Sequence, residues 1–140
     1  MLAASRQMFP EPTTSTKNRP EVQESEDLFL KAFRISPDCV SIVRVADRKV
    51  IMANEALCRL WGRTPEEVTG RLSSEYSSWL SEDARVAFMQ TLQDEGECLD
   101  QKTAVRLHDG RQVWFNISSR LITTHGEACV LSVMRDITEE

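Results

Sequence analysis

Few residues of this chain have side chains that could do chemistry by themselves. Cys39, Cys58, Cys98 and Cys129 are the nucleophilic and metal-ligating candidates, but they lie far apart and include no Cys-x-x-Cys pair. Such spacing builds neither a zinc knuckle nor a dithiol redox centre, and reduced, mostly buried thiols are the expected state. His108 and His125 each precede a turn, Asp109-Gly110 and Gly126, with no cysteine or carboxylate cluster nearby, so no metal site is expected. Glu82, Asp83 and Glu95 fall where a solvated helix face is expected, and the five glycines are scattered singly rather than gathered in a phosphate-cradling loop. Arg44 is the remaining binding candidate. In a β-branched run, its guanidinium on the inward parity would hold a carboxylate in a bidentate pair; on the other parity it is a surface arginine.

The elements that must position these residues fit in one domain, since 140 residues with 41% apolar content can bury a core. The formal net charge of -5 is spread along the chain without a lysine or arginine run, which argues against nucleic acid and anionic membranes as partners. No apolar stretch approaches the roughly 20 residues of a spanning helix. Residues 1–20 also lack the apolar centre of a signal peptide, so a cytoplasmic location is expected.

Residues 1–21, with Pro10, Pro12, Pro20 and a Thr/Ser run, read as a flexible leader, and residues 22–140 as the folded domain. Leu28, Phe29, Ala32 and Phe33 share one stripe of a helix that must end before Ser36-Pro37. Residues 39–45 and 50–53 read as a hairpin. Asn54 can cap a helix through Trp61 that Gly62 ends, and Thr64-Pro65-Glu66-Glu67 is a capping box opening a second helix closed by Gly70. Ser81 can cap a third helix, with Ala84, Phe88 and Leu92 along one side and Val86 and Met89 adjacent. Residues 99–108, 111–120 and 128–134 form three strands joined at Asp109-Gly110 and His125-Gly126. The expected fold class is α+β: a five-stranded antiparallel sheet with short helices on one face and an N-terminal helix.

This order, and several local sequences within it, resemble the PAS domain, the sensory box of bacterial signalling proteins such as sensor histidine kinases and GGDEF/EAL proteins. Phe33-x-x-Ser36-Pro37-Asp38 is similar to the family's start, residues 50–62 to its strand-to-helix junction, and Thr64-Pro65-Glu66-Glu67-Val68-x-Gly70-Arg71 to its short-helix signature. Asp109-Gly110-x-x-Val113-Trp114 is similar to its hairpin, and Asp136-Ile137-Thr138-Glu139 to its final strand passing into an output helix.

The resemblance implies a sensor or regulatory domain, not itself an enzyme, that binds a small ligand, dimerises, or both, and so controls an output domain covalently linked beyond Glu140. That output would be a histidine kinase or a diguanylate cyclase/phosphodiesterase. The alternative is a ligand-free dimerisation module with a packed core. The family's pocket would here be lined by Leu57, Tyr76, Met89, Val105, Phe115, Ile117, Ser132 and Met134, with Arg44 as its carboxylate binder. No His, Asp or Glu stands on the inward strand positions, which argues against an enzyme. Leu72, Ser73 and Ser74 replace the Asn-Cys-Arg of light-sensing flavin members, and the helix over residues 81–95 has no histidine for haem. Photoreactive flavin and haem are therefore not expected, and the cofactor, if any, is unknown. Phe29, Phe33 and Trp114 are the expected homodimer interface, and Asp136 and Thr138 the signal relay, each able to cap a following helix.

Overall fold

Ser36-Pro37 stops the first helix, because a residue before proline is driven out of the α region. The computed structural model describes residues 20–139 and places this helix, α1, at Pro20–Ile35. Most of the expected leader, residues 1–19, lies outside the described residues; Pro20 and Glu21 belong to the helix. The chain divides here into one unit ending at Phe33 and a second beginning at Arg34. Within the first, the rings of Phe29 and Phe33 meet at 5.9 Å.

The second unit is an antiparallel sheet with helices on one face. Its strands are β1 (Cys39–Arg44), β2 (Val50–Ala53), β3 (Ser77–Trp79), β4 (Glu97–Leu107), β5 (Gln112–Thr124) and β6 (Glu127–Asp136), ordered β2-β1-β6-β5-β4-β3. The sheet therefore has six strands rather than five. β3 is the addition, three residues held by pairing with β4 in the register Ser77 to Leu107 and Trp79 to Val105. Two serines and a tryptophan carry no strand pattern of their own, so tertiary pairing decides this element.

The helices follow their caps. Asn54 opens α2 (Glu55–Trp61), and Gly62, with φ 71°, closes it. The Thr64/Glu67 capping box opens α3 (Pro65–Val68), and a 3-10 turn follows at Ser73–Glu75. Ser81 accepts the Ala84 N–H at 3.1 Å to begin α4 (Glu82–Glu95). Both long hairpins turn where the sequence places them. In the β5–β6 turn His125 and Gly126 both have positive φ, 51° and 77°, as a two-residue type I′ turn requires.

Leu57, Val50, Val68 and Leu92 are almost wholly buried between the helices and the inner sheet face, with Trp61, Tyr76 and Phe88 beside them. Two polar residues, Asn54 and Ser119, sit at the same depth. Asn54 is 2% exposed, and its Oδ1 accepts the Leu57 N–H at 3.1 Å and the Val40 N–H at 3.0 Å, while Nδ2 donates to the Asp38 carbonyl at 2.9 Å. A helix start, the first strand and the turn before it thus share one amide. Asn54→Ala removes a cap, typically worth about 1 kcal/mol, and leaves buried backbone groups unpaired at about 1–3 kcal/mol. Urea unfolding of the variant is expected to show a loss of about 2–4 kcal/mol; a loss well under 1 kcal/mol would contradict this role.

Candidate functional site

Strand register decides which side chains meet. Cys39, Ser41 and Val43 of β1 stand opposite Met134, Ser132 and Val130 of β6, and these opposite Ile117, Ser119 and Leu121 of β5. The whole set shares the inner face. Of the expected pocket residues, Leu57, Tyr76, Val105, Phe115 and Ile117 are buried there together, and Met134 packs against them partly buried. Ser132 lies in the same layer, its Oγ 2.6 Å from Ser119 Oγ.

Two expected residues stand elsewhere. Arg44 pairs in register with Cys129, on the parity opposite to Cys39 and Val43, so the inward reading of it is corrected. Its guanidinium is held by Asp47 at 2.9 Å and Glu127 at 3.1 Å. The Lys49 backbone N–H, and after it Arg44, keep the Asp47 carboxyl below the usual range. The run of residues 39–43 carries apolar residues on both parities, Val40 and Ile42 being buried as well as Cys39, so alternation gives no sign of which side faces in. Met89 is 42% exposed because it follows Phe88 by one residue, about 100° around α4.

The sequence reading passed over two residues here. Ser41 and Ser119 are buried and complete a hydroxyl row with Ser132 straight across β1, β6 and β5. Extending the alternation of Phe115 and Ile117 by one step would have reached Ser119.

A cavity of about 420 Å³ opens away from this layer, at the surface, lined by Arg63, Glu67, Arg71, Glu75, Tyr76 and His108. Tyr76 forms its inner wall, stacked on Trp61 at 4.9 Å with the His108 ring edge-on at 5.8 Å. His108 Nε2 lies 2.7 Å from the Trp61 carbonyl. Arg71 binds Glu75 at 2.7 Å, and that bond holds the Glu75 carboxyl below its usual range. The Arg71/Glu75 pair is legible as an i,i+4 spacing; the meeting of His108 with Trp61 is not.

On the outer face Trp114 is half exposed and lies opposite Ala104 of β4. In the first unit Phe29 is half exposed, whereas Phe33 is buried. Where β6 ends, Asp136 Oδ1 accepts both the N–H and the hydroxyl of Thr138. Thr138 Oγ1 in turn accepts the Trp114 N–H at 3.1 Å, and the Trp114 carbonyl accepts the Ile137 N–H at 2.8 Å. Asp136 and Thr138 thereby fasten the end of the last strand to the backbone of β5.

A model of the PAS domain family matches residues 37–139. The chain belongs to the PAS domain family. A comparison with curated proteins finds no match. Among solved structures, the PAS domain of an HTR-like protein from Haloarcula marismortui is 23% identical, with TM-score 0.61 over 87% of this chain and 99% of that one. The PAS domain of nitrogen regulation protein NR(II) from Vibrio parahaemolyticus is 19% identical, with TM-score 0.66 over 79% and 98%. A domain of a sensory box sensor histidine kinase/response regulator from Geobacter sulfurreducens is 20% identical, with TM-score 0.62 over 82% and 96%. At these identities the structures share the PAS fold.

All four cysteines of this PAS domain are free and buried. Burial first, then the nearby Asp136 and Asp38 carboxylates, pushes the Cys39 thiol up to about 12. The thiolate is the nucleophile, so Cys39 is chemically quiet at neutral pH. Among the described residues no group of His, Cys, Asp and Glu could hold a metal ion, and no helix is long and apolar enough to cross a membrane. Iodoacetamide at pH 8 is expected to leave Cys39 unmodified in the folded domain and to alkylate it in urea, as read by peptide mass spectrometry. Fast labelling of the native domain would show that the site opens.

Proposed function

We propose that this PAS domain is the sensory or regulatory module of a larger cytoplasmic signalling protein. It answers a small molecule, self-association or both by re-aiming the chain that leaves β6 toward an output domain beyond Glu140. The domain itself is not an enzyme; the output is a histidine kinase or a diguanylate cyclase/phosphodiesterase.

The carrying observation is the bonding of the Asp136-Ile137-Thr138 turn to both backbone groups of Trp114. A turn so fastened has one direction while the bonds hold and another once they break, the two-state element a relay requires. Asp136→Ala with Thr138→Ala in the full-length protein is expected to change output about five-fold or more, whether read as autophosphorylation or as cyclic dinucleotide turnover, while circular dichroism stays that of the folded domain. Unchanged output would sink the relay.

The ligand-free dimerisation module has an observation in its favour. The inner face is filled by Leu57, Phe115, Ile117 and Val105, while Trp114 stands half exposed on the outer face. An aromatic anchor of that kind dominates many interfaces. On this reading Trp114→Ala weakens a homodimer about ten-fold or more in analytical ultracentrifugation. Equal dissociation constants for variant and parent would remove Trp114 from the interface.

A further inference from the structure

The surface cavity beside Tyr76 has an unusual inventory of unspent polar groups. Arg63 ion-pairs with no carboxylate among the described residues, its NH1 donating only to the neighbouring Gly62 carbonyl at 3.1 Å. Arg71 spends one edge of its guanidinium on Glu75 and has donors left. Tyr76 is 6% exposed, yet its hydroxyl makes no hydrogen bond to the described residues. The only sealed, unpaired side-chain polar atom among them is Asn116 Oδ1, so the Tyr76 hydroxyl is not sealed off, and Tyr76 lines the cavity. A donor on a rigid ring, packed against Trp61 and His108, thus shares the cavity lining with Arg63, whose charge has no carboxylate partner among the described residues.

The acceptors are fewer. Both oxygens of Glu75 are engaged, by Arg71 and the Leu72 N–H, whereas Glu67 has one oxygen on the Thr64 N–H at 2.8 Å and the other without a partner among the described residues. His108 Nε2 must carry its proton, because the Trp61 carbonyl it meets at 2.7 Å can only accept. In the tautomer with that single proton, Nδ1 is left as an acceptor.

We propose that this cavity binds a small carboxylate carrying a hydrogen-bond donor on the adjacent carbon, the chemistry shared by hydroxy acids and amino acids. The carboxylate sits against Arg63, the free edge of Arg71 and the Tyr76 hydroxyl, as charge-assisted bonds favour. The neighbouring hydroxyl or ammonium turns to Glu67 and His108. The two carboxylates in the lining disfavour a bare polyanion, which would meet Glu67 and Glu75 with nothing to offer them. As a binding claim this rests on the cavity alone; as the sensed molecule it rests on the sensor reading above. Binding and output are measured separately, so either can fail without the other.

The test is titration of the 15N-labelled domain with L-lactate, L-alanine, propionate and inorganic phosphate, following backbone amides by NMR. Lactate or alanine is expected to shift the amides of Gly62, Leu72 and His108 saturably at millimolar concentration, and propionate, which lacks the donor, to bind about ten-fold more weakly. Arg63→Ala and Tyr76→Phe are each expected to weaken binding by about ten-fold. Neither side chain makes a bond the fold needs, so both variants should keep the parent spectrum elsewhere. The proposal is overturned if none of the four probes shifts these amides saturably, if propionate or phosphate binds as well as lactate and alanine, if the variants bind like the parent, or if the shifts fall instead on Phe115 and Ile117 of the inner face.

Discussion

The second unit depends on one buried amide. Asn54 joins the turn at Ser36–Asp38, the first strand and the first turn of α2, and does so at 2% exposure, where every unmade bond would go uncompensated by water. Because β1 is an interior strand of the sheet, flanked by β2 and β6, fixing it also fixes the platform against which the last strand pairs. The path from Asn54 to the end of the domain is therefore short. Val40, whose N–H the amide binds, lies opposite Val133 of β6, three residues before Asp136.

How far the sequence could be read follows from whether a feature is local. Asn54, Thr64 and Ser81 cap helices as their positions announce, since a cap is written within four residues. The two hairpin turns are equally local, set by Asp109-Gly110 and His125-Gly126. β3 was not legible because Ser77–Trp79 becomes a strand only by pairing with residues about 30 positions away. Arg44 was misplaced for a different reason: β1 buries residues on both faces, so its alternation carries no direction. Met89 failed on angle, since α4 buries only the narrow stripe of Phe88 and Leu92. The surface cavity joins Arg63, Arg71, Tyr76 and His108 from separate loops, and only the Arg71/Glu75 spacing hints at it.

The inner face, the outer face and the end of the chain divide the work. Apolar side chains occupy the inner layer, with a row of hydroxyls across it whose Ser119 and Ser132 satisfy each other. Polar recognition chemistry is displaced to the surface beside Tyr76, a residue that belongs to both regions, being packed on Trp61 on one side and open to the cavity on the other. β5 carries Phe115 inward and Trp114 outward, and the end of β6 is fastened to the same two residues. A change in inner packing that moves β5 therefore reaches the exit without an intervening element.

The proposed relay requires the turn over residues 136–138 to behave as one unit with Trp114, and single-residue amide hydrogen exchange on the folded domain tests this most directly. Removing the Thr138 hydroxyl by Thr138→Ala is predicted to speed exchange at both Trp114 and Ile137 by about ten-fold or more, leaving Ile117 at its original rate. Acceleration at Trp114 alone, or at neither amide, would contradict a clamp that opens as a unit.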